Sequence, residues 1–201
     1  MNFLAHVFLS GNDKQLQVGN FIGDYVKGSS YTKYSARIAQ GILLHRAIDD
    51  FTDKHPKVME AKHLLQPSFR LYSGIFVDMF YDHFLASQWQ QLSPVPLKRF
   101  TRRFYKSMVW HFRILPPRVK GFLPHLIASN RLSVYATVQG LQHSLEIMEN
   151  YTSLPHKSQE AVALLEQNYE WFKENFNDFF PQLQEFAAAK ILELAQSKAR
   201  Y

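Results

Sequence analysis

The sequence predicts an all-α protein, one bundle of about eight helices filling a single domain over residues 1–201. Three observations predict it. Apolar residues recur at helical rather than alternating spacing along most of the chain. No segment carries a convincing strand pattern; the most β-like piece, residues 131–138, is short and flanked by helical periodicity. Hydrophobic residues make up 46% of the chain, 17 of them phenylalanine, enough for one full core rich in large rings.

Residues 2–10 can start a helix, with Asn12 and Asp13 as turn or capping residues after it. Residues 18–26, VGNFIGDYV, embed Asp24 in apolar sequence, and Gly19, Gly23 and Gly28 permit close backbone approach. Residues 29–34 read as a polar loop. Ser35 is a suitable N-cap for a helix over residues 36–52. Pro56 opens the next helix, whose apolar side is Val58, Ala61, Leu64 and Leu65, and Pro67 is expected to interrupt it. A long helix is expected over residues 69–91, with Ile75, Phe76, Met79, Phe80, Phe84 and Leu85 at helical spacing. Pro94 and Pro96 mark a loop. Residues 97–112 form a basic, aromatic helix that Pro116 and Pro117 end. Further helices are expected over residues 118–149 and 158–180, then a break at Pro181 and an alanine-rich terminal helix over residues 186–199.

The chain has no cysteine, which removes disulfides, zinc thiolates and thiol nucleophiles together and suits a reducing cytosol. The first ten residues lack the basic region of a signal peptide, and His6 interrupts their apolar run. No apolar run approaches the roughly 20 residues that a membrane span needs. A soluble, cytoplasmic protein is therefore expected. Net charge is +6, unevenly spread. Residues 83–145 contain no acid and nine bases, among them Lys98, Arg99, Arg102, Arg103 and Lys106. A segment of one sign suits an acidic partner; its plainer explanation is a solvated face.

The chemistry-bearing groups are those that interrupt apolar segments: His6, Asp24, His45, Asp49, Asp78, Asp82 and His83. His45 and Asp49 stand four apart within GILLHRAIDDFTD and project from one helix face; Asp78 and Asp82 repeat the spacing. Two like charges one turn apart repel, and buried acids are costly unless paired. Imidazole with carboxylate and no thiolate suits a hard or borderline cation such as Mn²⁺, Mg²⁺, Fe²⁺ or Zn²⁺. Each residue also has a structural explanation: His6 as a core histidine, Asp24 as a cap, Arg46 as the partner of an acid. There is no G-x-S-x-G elbow, Walker-type loop or dinucleotide fingerprint.

Four motifs go further: NFLAH at 2–6, GNFIGD at 19–24, LHRAID at 44–49 with Thr52 and Asp53 after it, and DMFYDHFLA at 78–86. Their order and spacing over the first ninety or so residues resemble the bacterial acyl carrier protein phosphodiesterases. The resemblance implies hydrolysis of the phosphodiester joining 4′-phosphopantetheine to a serine of holo acyl carrier protein, with Mn²⁺ the expected metal and Mg²⁺ or Fe²⁺ as options. It also implies kinship with the all-α HD phosphohydrolases, although no His is followed directly by Asp here. Gly23–Asp24 or the inverted Asp82–His83 would stand in for that dyad. On this reading His6, Asp24, His45 and Asp78 hold the metal. Asp49 and Asp82 bind it, orient its ligands or position water. His83 protonates the departing serine oxygen, and Arg46 or Lys27 holds the phosphate. The basic segment, with Arg99, Arg102 and Arg103, docks the acidic carrier protein. Two other readings stay open: a metal phosphohydrolase acting on a nucleotide, and a non-catalytic helical binder of an acidic partner.

Overall fold

The computed structural model describes residues 1–196, and no strand occurs among them. Twelve α-helices follow in order: α1 (Phe3–Leu9), α2 (Lys14–Ile22), α3 (Ala36–Lys54), α4 (Pro56–Phe69), α5 (Ser73–Ser87), α6 (Trp89–Leu92), α7 (Leu97–Trp110), α8 (Pro117–Ala128), α9 (Arg131–Val134), α10 (Val138–Tyr151), α11 (Ser158–Gln167) and α12 (Tyr169–Gln196). Short 3₁₀ turns at Gly23–Tyr25, Gly28–Lys33, Arg70–Tyr72 and Phe112–Ile114 link some of them. The fold class is as predicted; the count is twelve rather than about eight. Two of the additional helices, α6 and α9, have four residues each. Others come from breaks that lack a proline. Arg70 takes φ 48°, which ends α4 and starts α5 afresh inside the expected helix over 69–91. Asn130, at φ 45°, separates α8 from α9. Asn168 ends α11: its amide N–H and its side chain both donate to the Leu164 carbonyl, at 3.2 and 2.9 Å.

Prolines expected to break helices do not always do so. Pro67 lies within α4 and Pro181 within α12, which runs unbroken through the position where two helices were expected. The expected end of that helix at residue 199 lies outside the described residues, as do the last residues of the 1–201 domain.

Local chemistry sets several helix starts. Asp13 accepts from the Leu16 amide at 3.0 Å and pairs with Arg37 at 2.7 Å, capping α2 while tying it to α3. His55 accepts from the Lys57 amide at 3.3 Å with Pro56 in the first turn of α4. Thr137 caps α10 through the Gly140 amide at 3.1 Å. Ser35 stands at the start of α3 but makes no side-chain cap bond.

The core is built around α5, whose Phe76, Val77, Met79, Phe80, Tyr81, Phe84 and Leu85 are all fully buried. It meets α1, α4, α9, α10 and α12. The phenylalanines of α12 pack on it edge to face and tilted: Phe172 on Phe80 at 5.2 Å, Phe179 on Tyr81 at 5.4 Å, Phe176 on Phe84 at 6.0 Å. The tightest helix pair is α2 with α3. A Cβ on Gly19 would lie 2.1 Å from the Ile38 carbonyl oxygen, and one on Gly41 would lie 2.4 Å from that of Leu16. The backbones touch because neither residue has a side chain. No helix among the described residues is long and apolar enough to cross a membrane.

Adding a methyl group at this contact should be costly, because backbone cannot rotate away as a side chain can. Gly41→Ala is expected to lower stability by about 3 kcal/mol in urea unfolding, the upper end for overpacking. Gly121→Ala, in open space inside α8, is expected to raise stability by about 0.5–1 kcal/mol.

Candidate functional site

The glycine contact between α2 and α3 brings together side chains from three helices and one turn. His6 comes from α1, Asn20 from α2, Asp24 from the turn at Gly23–Tyr25, and His45 and Asp49 from α3. His6 Nδ1 lies 2.8 Å from Asn20 Oδ1. The Asn20 amide nitrogen donates to the His6 carbonyl at 2.8 Å and the Ser10 hydroxyl at 2.9 Å. That pattern assigns the Asn20 oxygen to His6, so Nδ1 carries the proton and donates it. His6 Nε2 then presents its lone pair to two more acceptors, the Met1 carbonyl at 3.1 Å and Asp49 Oδ1 at 3.2 Å.

His45 stacks on His6, with ring centroids 4.1 Å apart. Its Nε2 is 3.1 Å from Asp49 Oδ2 and 3.3 Å from Asp24 Oδ1. Neither ring nitrogen of this buried histidine has a well-formed hydrogen bond. Gly23 makes room for the ring: a Cβ there would lie 2.2 Å from His45 Cγ. One donor atom each from His6, His45 and Asp49 falls within 4.8 Å of the others. Asp49 therefore bridges the two histidines with its two oxygens, a consequence of its place one turn beyond His45 on α3.

Burial, with the neighbouring His45 charge, pushes His6 down to about 4 and keeps it neutral, against Asp49. Burial also works against charge on His45, but the carboxylates of Asp24 and Asp49, 3.3 and 3.1 Å from Nε2, outweigh it and push the ring up to about 9. Asp49 is held well below the usual carboxylate range: burial opposes this, and the His45 ring and the Met1 ammonium overcome it. Asp24 is held low chiefly by the His45 ring 3.3 Å away. The cluster opens to solvent on one side, since His6 is 2% exposed and the Asp24 side chain 61%.

The remaining sequence-selected residues fall into three groups. Asp78 is adjacent: its Oδ1 is 3.1 Å from the Met1 amino group, which lies 3.9 Å from Asp49. Expected among the first ligands, Asp78 stands one group further out than Asp49, and Asp24 is exposed at the rim rather than embedded in apolar surroundings. Burial pushes the Asp78 carboxyl up, against the Met1 ammonium.

Asp82 and His83 lie outside the cluster. Asp82 is fully buried and accepts the amides of Leu4 at 2.8 Å and Ala5 at 3.1 Å, clamping the first turn of α1 to α5. It orients His6 through the helix that carries it. Burial pushes its carboxyl up to about 7, opposed by those two amides. His83 points the other way, its Nδ1 2.7 Å from the Tyr135 carbonyl and its Nε2 3.0 Å from the Tyr169 hydroxyl. It joins α5 to the segment after α9 and to α12, far from the role of a proton donor at the cluster. Five residues separate it from Asp78, which turns it to another helix face.

Among the cations, Arg46 is engaged: its Nη2 donates to the Val26 carbonyl at 2.8 Å and that of Gly28 at 2.7 Å, and its guanidinium lies over Tyr31. Lys27 is exposed on that same loop. Arg99, Arg102 and Arg103, with Lys98 and Lys106, are exposed along α7, and none has an ion pair among the described residues. Trp110, at the end of α7, is 87% exposed. Sequence reasoning missed Asn20, although a lone amide inside the apolar run VGNFI was a signal for it; Gly23 was expected to permit a close approach, and the His45 ring is what approaches it.

A helical bundle that gathers two imidazoles around one carboxylate, at a mouth open to solvent, has the architecture of a hydrolytic centre rather than of a passive helical scaffold. The chain belongs to the acyl carrier protein phosphodiesterase family, whose model matches residues 1–183. Relatives named acyl carrier protein phosphodiesterase include those of Klebsiella pneumoniae, 32% identical, Salmonella agona, 31%, and Serratia proteamaculans, 30%. Each alignment covers 96% of this chain and all of the relative. No solved structure matches the chain.

The placement of His83 makes a pH prediction. Burial lowers its pKa below the ordinary 6.5. The unfolded chain therefore takes up that proton first as pH falls. Stability should decline below pH 6.5 with a contribution of up to about 1.4 kcal/mol per pH unit from this residue. Urea unfolding between pH 7 and 5 should show a shallower decline in His83→Gln than in wild type.

Proposed function

We propose that this protein hydrolyses the phosphodiester between 4′-phosphopantetheine and a serine of holo acyl carrier protein, assisted by a divalent cation. The observation that carries the metal is the convergence of lone pairs. With the His6 proton assigned to Nδ1, its Nε2 lone pair faces the Met1 carbonyl at 3.1 Å and an Asp49 oxygen at 3.2 Å. Lone pairs so arranged repel unless a cation lies among them. His6, His45 and Asp49 would hold it, with Asp24 and Asp78 within reach from the rim. Nitrogen and oxygen donors without sulfur favour Mn²⁺, Mg²⁺ or Fe²⁺. Mn²⁺ is the metal we expect, and the kinship with HD phosphohydrolases belongs to the same reading. A cation there would polarise a phosphoryl oxygen and acidify a bound water.

The chain's own groups supply the rest. Asp24, ionised and exposed, is placed to accept a proton from the attacking water. Asp78, ion-paired with the Met1 ammonium, would hold that ammonium beside Asp49. The exposed cations of α7 offer a docking face to an acidic protein, which electrostatics would steer toward the enzyme.

Incubation with holo carrier protein and Mn²⁺ should release apo carrier protein, read by mass spectrometry. A chelator should stop the reaction and added Mn²⁺ restore it. His45→Ala and Asp49→Ala should lower turnover by at least about 10³-fold while circular dichroism stays helical. Full activity in both would move the site elsewhere. Hydrolysis of a nucleotide panel in place of holo carrier protein would make the protein a nucleotide phosphohydrolase. Reversing Arg102 and Arg103 to Glu should raise KM for the carrier by about 10–100-fold with kcat little changed, and flatten the salt dependence of kcat/KM.

A further inference from the structure

With Arg46 committed to backbone carbonyls, the site lacks the guanidinium that an anionic substrate would meet. The fold brings another to the same place. Arg118 and Phe122 stand four residues apart on α8 and so share one face. That face meets the elements that flank the His–Asp cluster. The Phe122 ring is 5.7 Å from Tyr25 and 6.0 Å from Phe3, and the Arg118 guanidinium lies over Tyr25 at 5.9 Å. Tyr25 directly follows Asp24. Phe3 is one turn before His6 on α1. The α8 face therefore abuts both the turn that delivers one rim carboxylate and the helix that delivers one buried histidine.

We propose that Arg118 is the residue that binds the phosphodiester of the substrate at the mouth of the cluster. The assignment rests on the phosphodiesterase reading above. Arg118 is exposed and has no ion pair among the described residues. Its charge is thus available to a ligand. Stacking on Tyr25 restricts the orientation of the guanidinium, and a planar fork held in place is suited to two phosphate oxygens at once. The mouth otherwise presents Asp24, Asp49 and Asp78, which would repel a phosphodiester anion. Position argues in the same direction. Phe21 of α2 packs on both Phe104 of α7 and Phe122 of α8, at 5.1 and 6.2 Å. The helix that carries Arg118 and the helix that carries the basic residues therefore pack on one ring of α2.

Two measurements test this, with inorganic phosphate as the first probe. Phosphate should raise the melting temperature of the Mn²⁺-loaded wild type. Its apparent affinity should fall by about tenfold in Arg118→Gln and less in Arg118→Lys, which keeps the charge without the fork. On holo carrier protein, Arg118→Gln should lower kcat/KM by about 100-fold while leaving the salt dependence set by α7 intact. The Arg102/Arg103 reversal should instead flatten that salt dependence. Equal phosphate affinity in wild type and Arg118→Gln, or no binding of phosphate by the wild type, overturns the assignment. If phosphate distinguishes the variants but wild type does not process holo carrier protein, the proposed substrate fails and Arg118 as the phosphate-binding residue stands.

Discussion

The contact between Gly19 and Gly41 is the constraint on which the rest of the site depends. Two helices normally keep their axes 8–10 Å apart because side chains intervene. Here the carbonyls of Ile38 and Leu16 occupy the space where side chains would be. The near-contact of α2 and α3 sets the separation of everything they carry. Asn20 is one residue from Gly19, and His45 is one turn from Gly41. Gly23 continues the same logic one turn beyond Gly19, where the bare backbone receives the His45 ring. Three glycines, two in helices and one in the turn after α2, thus form one device: they remove volume so that polar side chains can be brought within hydrogen-bond distance.

What those glycines assemble is electrostatically unbalanced in a specific way. Asp49 has two oxygens and a histidine at each. One histidine is driven toward neutrality and the other toward its charged form, though their rings stack 4.1 Å apart. A single proton resting on His45 meets part of the demand for positive charge. The Met1 ammonium, held by Asp78 and near Asp49, meets another part. The mouth is accordingly a place where positive charge is wanted from several directions. That is the electrostatic condition for recruiting a cation, and it explains why a substrate anion needs help from outside the cluster.

Much of this was legible in the sequence, and the failures have physical causes. The pairing of His45 with Asp49 follows from helical periodicity alone, and Asp24 and His6 were recognisable as polar residues in apolar runs. Asp82 shows the limit. A carboxylate that interrupts an apolar helix face looks the same whether it faces a metal or the first turn of another helix, and here it caps α1. His83 fails for the same reason, because its partners lie 52 and 86 residues away. Arg46 read as a phosphate clamp because nothing local reveals that the loop at Val26 and Gly28 returns to it. Helix boundaries were lost where the break comes from a positive φ at Arg70 or Asn130, and overcounted where Pro181 sits inside a helix that packing sustains. Arg118 carries no local signal at all, since its significance lies in which ring it covers.

The clamp between Asp82 and α1 has a consequence for how the protein comes into being. A helix of seven residues does not persist alone in water, because nucleation costs more than so few hydrogen bonds return. His6 leaves the ribosome before the carboxylate that organises its helix, which follows the Leu4 and Ala5 amides it accepts by 78 and 77 positions. At the usual pace of translation that interval is roughly 4–15 s. During it α2 and α3 can meet through their glycines while α1 has nothing to cap it. The nascent chain therefore holds an incomplete cluster until α5 has emerged. Completion of the centre is tied to the same event that closes the core, so a chain able to act on its substrate is one that has already folded.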